Sequence, residues 1–303
     1  MKQLMVLLLL LSEIAVAQNI SVLTNEKILS SDSKYCFPHF SPDGNNIAFT
    51  TENFLGLYIM DTKTKEIVQI SDKSGAGYNP VFSTDGSTIY YKWNEYKGMK
   101  KYSNIYSRKI NNKGMTILES GKRQLSTPQI INNKLIYTAD NEINKLQISG
   151  KAEPGQHKDI WTCIENQRIV LYIDEDRKVL APKGEGNYIW PQLSPDQTKI
   201  LFTFTGHGTY ISDLDGNILA DLGYLNSSKW FNDDWVVGMK DYDDGYVITR
   251  SDIYAVKSDG QESIRLTQTD NEIEMYPDCA NDNSKIVYHT LDGDIYLMTL
   301  KLK

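Results

Sequence analysis

The side chains that could bind a metal, attack a carbonyl or move protons are few in this chain. Four histidines are present, His39, His157, His207 and His289, and none stands in a paired ligand motif such as His-Glu-x-x-His. No Gly-x-Ser-x-Gly elbow presents a serine nucleophile. Gly75-Ala76-Gly77 is too short, and wrongly placed, to cradle a phosphate. Four aspartates recur at repeat-like positions, Asp43, Asp85, Asp196 and Asp282, but each stands in a turn signal where its carboxylate accepts backbone N–H groups. Asp213-Leu214-Asp215-Gly216-Asn217 and Asp241-Tyr242-Asp243-Asp244-Gly245 look like fragments of calcium loops. Neither has the full ligand spacing or the closing Glu, so both are expected to be hairpin turns.

The three cysteines, Cys36, Cys163 and Cys279, leave at least one thiol unpaired. Cys36 lies two residues before Pro38, and Cys279 two after Pro277, in equivalent phrases. Aligned strands would hold them about 13 Å apart at roughly 3.3 Å per residue, beyond the roughly 7 Å Cα limit for a bridge. Three buried free thiols, packing as small apolar groups, are expected.

The elements that must position these residues are announced by one recurring phrase. It reads Phe37-Pro38-His39-Phe40-Ser41-Pro42-Asp43-Gly44, then Asn79-Pro80-Val81-Phe82-Ser83-Thr84-Asp85-Gly86, then Trp190-Pro191-Gln192-Leu193-Ser194-Pro195-Asp196-Gln197, with an eroded copy from Tyr276 to Asn283. A β-rich apolar run follows each copy: Ile47–Thr50, Ile89–Tyr91, Ile200–Thr203 and Ile286–His289. Strand, tight turn and strand at a repeating interval is the pattern of a β-propeller. Units near Pro128, Thr162 and Ser228 keep the outline without the full phrase, which makes seven in all. The short intervals around Thr162 leave a six-bladed ring with an irregular fourth sector as the alternative. Third strands are expected at Leu57–Asp61, Ile105–Arg108, Thr209–Asp213, Ile253–Val256 and Ile295–Met298. The last unit lacks an outer strand, and the segment Ile20–Leu29 is expected to supply it, closing the ring and removing an exposed edge.

The amino terminus has the form of a secretory signal: Met1-Lys2, an apolar core from Leu4 to Leu11, and Ala15-Val16-Ala17 before Gln18. The expected division is a signal peptide over 1–17 and one propeller over 18–303. The apolar run is shorter than the about 20 residues needed to span a bilayer, and no cysteine follows it to carry a lipid. A periplasmic or secreted protein is therefore expected. Nineteen Tyr, eight Phe and five Trp against nine Pro fit a strand-rich globular chain. The net charge is −7, and no basic stripe could track phosphates, which argues against nucleic acid.

The Pro-x-aromatic-Ser-Pro-Asp-Gly phrase and its Ile-Tyr third strand resemble the repeat of the TolB-like family of exported propellers over essentially the whole of residues 18–303. TolB carries a further amino-terminal α/β domain, for which no room is expected here, so a role in the Tol system does not follow. The repeat is also similar to that of propeller lyases acting on pectic oligosaccharides, in which histidines hold a metal. His39, on an innermost strand of the first unit, and His289, at the second strand of the last, are the two side chains that could converge for that purpose, although no metal site or cofactor is expected. The resemblance extends to the propeller half of dipeptidyl-peptidase-like enzymes, whose catalytic half would need some further 200 residues.

In propellers, the loops from second to third strand and from blade to blade gather on the face that ligands meet. Two such loops are long here, Trp93 to Tyr102 and Lys240 to Tyr246. Trp93, Tyr96, Lys97, Tyr102, Asp241, Tyr242, Asp243 and Asp244 combine rings with both signs of charge, a mixture suited to protein or glycan surfaces. The leading expectation is a non-catalytic, monomeric binding scaffold for a protein or a cell-envelope polymer or glycan. A propeller-type oligosaccharide lyase or hydrolase, with its site at the channel, is the alternative.

Overall fold

The computed structural model describes residues 20–30, 32–148, 158–269 and 271–302. The expected signal peptide and His157 lie outside them. The described chain is all-β apart from one 3-10 turn at Glu52–Phe54, and its sheets are seven antiparallel blades in a ring.

Blade 1 holds β2 (Tyr35–Phe40), β3 (Asn46–Thr51), β4 (Leu55–Asp61) and β5 (Ile67–Ser74). Blade 2 holds β6 (Val81–Phe82), β7 (Thr88–Lys97), β8 (Lys100–Lys109) and β9 (Met115–Lys122). Blade 3 has β10 (Gln129–Ile131), β11 (Lys134–Ala139) and β12 (Glu142–Gln147), and blade 4 has β13 (Ile160–Glu165), β14 (Arg168–Ile173) and β15 (Asp176–Leu180). Blade 5 comprises β16 (Tyr188–Leu193), β17 (Lys199–Phe204), β18 (Gly208–Asp213) and β19 (Ile218–Gly223). Blade 6 comprises β20 (Asn226–Trp230), β21 (Trp235–Asp243), β22 (Ile248–Lys257) and β23 (Ser263–Arg265). Blade 7 runs from β24 (Glu274–Cys279) through β25 (Lys285–Thr290) and β26 (Ile295–Leu302) to β1 (Ile20–Leu29). The seven innermost strands coincide with the seven units counted from sequence, and the short intervals around Thr162 are absorbed by two blades that show three strands each among the described residues.

Among the described residues seven buried clusters hold the ring, each lying between neighbouring blades. Phe40, Ile47, Phe49 and Met60 of blade 1 pack on Ala280, Val287 and Ile295 of blade 7. Ala48, Leu57 and Ile59 of the same blade pack the other way, on Ile89 and Tyr91 of blade 2. Successive side chains of a second strand thus serve opposite neighbours, and both faces are apolar. This is why these strands read as unbroken runs such as Ile-Ala-Phe rather than as alternating ones.

The innermost strands share an irregularity that the sequence analysis did not anticipate. Pairing with the second strand breaks between Cys36 and His39, Ile189 and Gln192, Asn226 and Lys229, and Met275 and Asp278. At each break the residue before the repeat proline, or before its Ser228 equivalent, is left-handed: Phe37 (φ 52°), Trp190 (φ 54°), Ser227 (φ 47°) and Tyr276 (φ 51°). A residue before proline is normally extended, and bulky residues avoid positive φ. The recurrence marks a conserved device within this one chain, a bulge that splits each inner strand into two paired segments.

The three cysteines are free, as expected. Only Cys36 is buried; Cys163 and Cys279, also on innermost strands, are half-buried and pack on the cores between blades 3 and 4 and between blades 6 and 7. Burial pushes the thiols up, Cys36 to about 11 and Cys163 to about 12, so neither is a ready thiolate.

Candidate functional site

The position one residue past the repeat proline is occupied around the ring by His39, Val81, Gln129, Cys163, Gln192, Lys229 and Asp278, and all seven are half-buried. These residues belong to the inner strands that frame the channel. Hydrogen bonds tie them to the next blade: Gln129 Nε2 donates to the Thr162 carbonyl at 2.7 Å, and Gln192 Nε2 to the Ser228 carbonyl at 2.8 Å.

The charged members gather on blades 6, 7 and 1. Asp278 Oδ2 accepts the Phe40 N–H at 2.9 Å, and its Oδ1 lies 3.7 Å from His39 Nδ1. Burial alone would push the Asp278 carboxyl up. His39, Lys229 and the Phe40 N–H outweigh it and hold the group below the usual carboxylate range.

His289 takes no part in this grouping. It is 4 % exposed, its Nδ1 is 3.0 Å from the Thr290 carbonyl, and its ring stacks on Tyr276 at 5.5 Å. Burial pushes it down to about 4. Among the described residues no three His, Cys, Asp or Glu side chains come together as a metal site, so His39 and His289 do not share one. His207 is exposed and stacked on Phe204.

Antiparallel order places the second-to-third-strand hairpins, and the connections out of the four-stranded blades, at one end of the ring. Many of the large exposed apolar side chains lie at that end: Leu55, Tyr78, Tyr96, Met99, Trp190, Tyr224, Tyr242, Tyr246, Val247 and Leu291. The turns at the other end are closed by their own side chains. Ser41, Ser83 and Ser194 donate to Asp43, Asp85 and Asp196, each at 2.5 Å; burial pushes these carboxyls up, but the serines together with the Asn45, Ser87 and Thr198 N–H groups outweigh it and hold them below their ordinary range. The repeated aspartates are turn caps, and Asp213 caps its turn in the same way through the Asp215 and Asn217 N–H groups.

Both long loops from the sequence analysis are strand extensions at the crowded end. The β7–β8 hairpin carries Tyr96, 69 % exposed, with Lys97 and Lys100 directly opposite one another. The Lys97 amine and the Arg123 guanidinium lie 5.4 and 5.3 Å from the Tyr102 ring centre. Trp93 is half-buried at the base, edge-on to Tyr106 at 4.7 Å and packed on the core between blades 1 and 2. In the β21–β22 hairpin, Asp243 accepts the Gly245 N–H and Asp244 those of Tyr246 and Val247. Asp241 is 9 % exposed and accepts from Asn226 Nδ2 at 2.8 Å and the Tyr224 hydroxyl at 3.1 Å. Trp93 and Asp241 therefore brace their hairpins, while Tyr96, Lys97, Tyr242, Asp243 and Asp244 are exposed.

Between the hairpins runs a row of rings that the sequence analysis did not single out. Phe37 meets Tyr276 at 4.5 Å and Phe54 at 4.6 Å, and Phe54 meets Tyr78 at 5.1 Å. The aromatic residue before the repeat proline, at Phe37, Trp190 and Tyr276, was the available signal. Only the left-handed backbone at those positions gives it its place.

No protein-family model matches the chain, and no curated protein matches it in sequence. Among solved structures, TolB from Acinetobacter baumannii is similar at 19 % identity and a TM-score of 0.54, over 83 % of this chain. The chain spans 58 % of the length of that TolB. A manganese complex of oligogalacturonate lyase aligns over 88 % of this chain and 76 % of its own, at 14 % identity and a TM-score of 0.49. The oligogalacturonate lyase of Vibrio parahaemolyticus aligns over 87 % of this chain and 76 % of its own, at 11 % identity and a TM-score of 0.47. The chain is thus a seven-bladed propeller with a fold like that of TolB. No helix among the described residues is long and apolar enough to cross a membrane.

Proposed function

We propose that this chain is an exported, non-catalytic propeller that binds a protein or cell-envelope polymer on the face bearing the two long hairpins. One observation carries the reading: exposed rings and the tips of both charged hairpins share one end of the ring, while the turns of the other end are satisfied by their own aspartates. Large amphipathic rings with nearby charges are what recognition surfaces enrich. Export is supported by the form of residues 1–17, and binding by a propeller face agrees with the TolB-like fold.

The test is a capture experiment from cell-envelope extract with residues 18–303 and with the variant Tyr96→Ala/Tyr242→Ala/Tyr246→Ala. The expected result is a component retained by the wild-type protein and lost with the variant, at unchanged melting temperature. Identical retention by both proteins would overturn the assignment of the face.

A second reading, an oligosaccharide-cleaving propeller with its site at the channel, has one observation in its favour, the His39–Asp278 pair beside Lys229. It requires turnover of acidic or neutral oligosaccharides that His39→Ala abolishes. No turnover across such a panel removes it.

A further inference from the structure

The two hairpins carry opposite net charge: on blade 2 exposed Glu95 is outnumbered by three lysines, and on blade 6 Arg250, 5.9 Å from the Tyr242 ring, stands beside two exposed aspartates. On blade 2, Lys97, Lys100 and Lys101 are exposed, and none is in an ion pair among the described residues. Lys97 and Lys100 face each other across the ladder, where like charges cost stability. On blade 6, Asp243 and Asp244 are exposed, and among the described residues their hydrogen-bond partners are backbone N–H groups of their own turn. The cations of that hairpin have other partners than Asp243 and Asp244. Arg250 is 3.2 Å from buried Asp252, and Lys240 lies over the Tyr254 ring.

Blades 2 and 6 are three steps apart through blades 1 and 7, and four steps the other way. They stand as nearly opposite as a seven-membered ring allows. A two-fold axis lying in the face, perpendicular to the line joining them, carries blade 2 onto blade 6 and blade 6 onto blade 2. We propose that a second copy of this chain docks face to face about such an axis, each basic β7–β8 hairpin meeting the acidic β21–β22 hairpin of its partner.

Closed symmetry makes each favourable contact occur twice. Complementary charge also selects this pairing over others. A partner of a single sign would be attracted by one hairpin and repelled by the other. A second copy supplies both signs in the required places, with exposed Tyr96 and Tyr246 to fill the contact. This departs from the monomer expected from sequence. It also makes self-association and capture of another partner competing uses of one face. Sedimentation of the protein alone reads the first without reference to the second.

The experiment is sedimentation equilibrium of residues 18–303 over a concentration series at low and high salt. The expected result is a monomer–dimer equilibrium that weakens on the order of tenfold or more in high salt. Lys97→Glu/Lys100→Glu makes both hairpins acidic. Asp243→Asn/Asp244→Asn/Tyr246→Lys makes both basic while an amide oxygen replaces each carboxylate oxygen that closes the turn. Each variant alone is expected to be monomeric, and an equimolar mixture to form heterodimers, because both contacts become attractive again. A monomeric wild-type protein overturns the proposal. So does a dimer that survives Lys97→Glu/Lys100→Glu, or a mixture of the two folded variants that stays monomeric.

Discussion

Asn25 on the first strand and Tyr288 in the last blade exchange two hydrogen bonds. Asn25 Nδ2 donates to the tyrosine oxygen at 2.7 Å, and the hydroxyl donates back to Asn25 Oδ1 at 2.9 Å. The pair sits where β1 lies on β26, from Ile20 opposite Leu302 to Leu29 opposite Ile295. Asn25→Ala leaves a largely buried hydroxyl without its partner, a loss of about 1–3 kcal/mol. Removal of residues 18–29 is more severe: it bares the edge of β26 and withdraws Ile20 from the core between blades 6 and 7. Thermal unfolding with size-exclusion chromatography checks both. The expected results are a lower melting temperature for the point variant and aggregation of the truncation. A truncation that melts as the wild-type protein does would show that β1 does not close the ring.

Gly293 is the other closure point. Its φ is +84°, and a Cβ there would come within 2.2 Å of the Lys34 Cα, while its carbonyl accepts the Tyr35 N–H at 3.1 Å. The obstacle is backbone of the neighbouring blade, so it cannot rotate away. Gly293→Ala is expected to cost at least about 3 kcal/mol, read as a shift in the urea midpoint. Gly98→Ala in the β7–β8 turn (φ +60°, open space around a Cβ) is the control and should cost far less.

Among the described residues blades 3 and 4 are the thinnest, and a buried carboxylate joins them. Asp159 is 3 % exposed and accepts from Lys134 Nζ at 2.8 Å, Lys145 Nζ at 3.3 Å and Asn132 Nδ2 at 3.0 Å. Burial would raise its pKa, but these donors hold it below the ordinary value. Asp159→Ala removes the acceptor shared by two part-exposed lysines and is expected to cost about 1–3 kcal/mol. Hydrogen exchange should find the loss of protection concentrated in β11 to β14. Uniform loss around the ring would mean that the joint is not local.

The blade count, the third strands and the closure by Ile20–Leu29 were legible in the sequence because each rests on local signals: Asp-Gly turns, Ile-Tyr strands, and runs apolar on both faces. The site was legible only in part. Long hairpins identify themselves by length and charge, so the exposure of Tyr96, Lys97 and Asp243 could be expected in advance. That Trp93 would turn inward depends on the packing of blade 1 against blade 2, and no local pattern encodes it. The row from Tyr276 through Phe37 to Tyr78 joins residues far apart in the chain through an unusual backbone state. The convergence of His39 and His289 failed for a related reason, since the bulge after Cys36 leaves His39 facing Asp278 while His289 packs beneath Phe37.

Two buried groups give the stability opposite dependences on pH. Burial pushes Glu274 up from 4.5 to about 7, with Thr269 Oγ1 donating to its Oε1 at 2.5 Å. The native state prefers its protonated form, so this contribution is fully present below the unfolded value of 4.5 and is lost as pH rises through 7. His289, pushed down from 6.5 to about 4, prefers to be neutral. Its contribution is present above 6.5 and is lost as pH falls through 4, with about 3 kcal/mol at stake. In the window between, the two slopes oppose and partly cancel in the wild-type protein. Glu274→Gln should uncover the histidine slope, leaving stability that falls steadily from pH 6.5 to 4. His289→Gln should uncover the glutamate slope, with stability that falls from pH 4.5 to 7. Urea unfolding of both variants across that range is the measurement. Parallel curves for the two variants would mean that other groups govern the response.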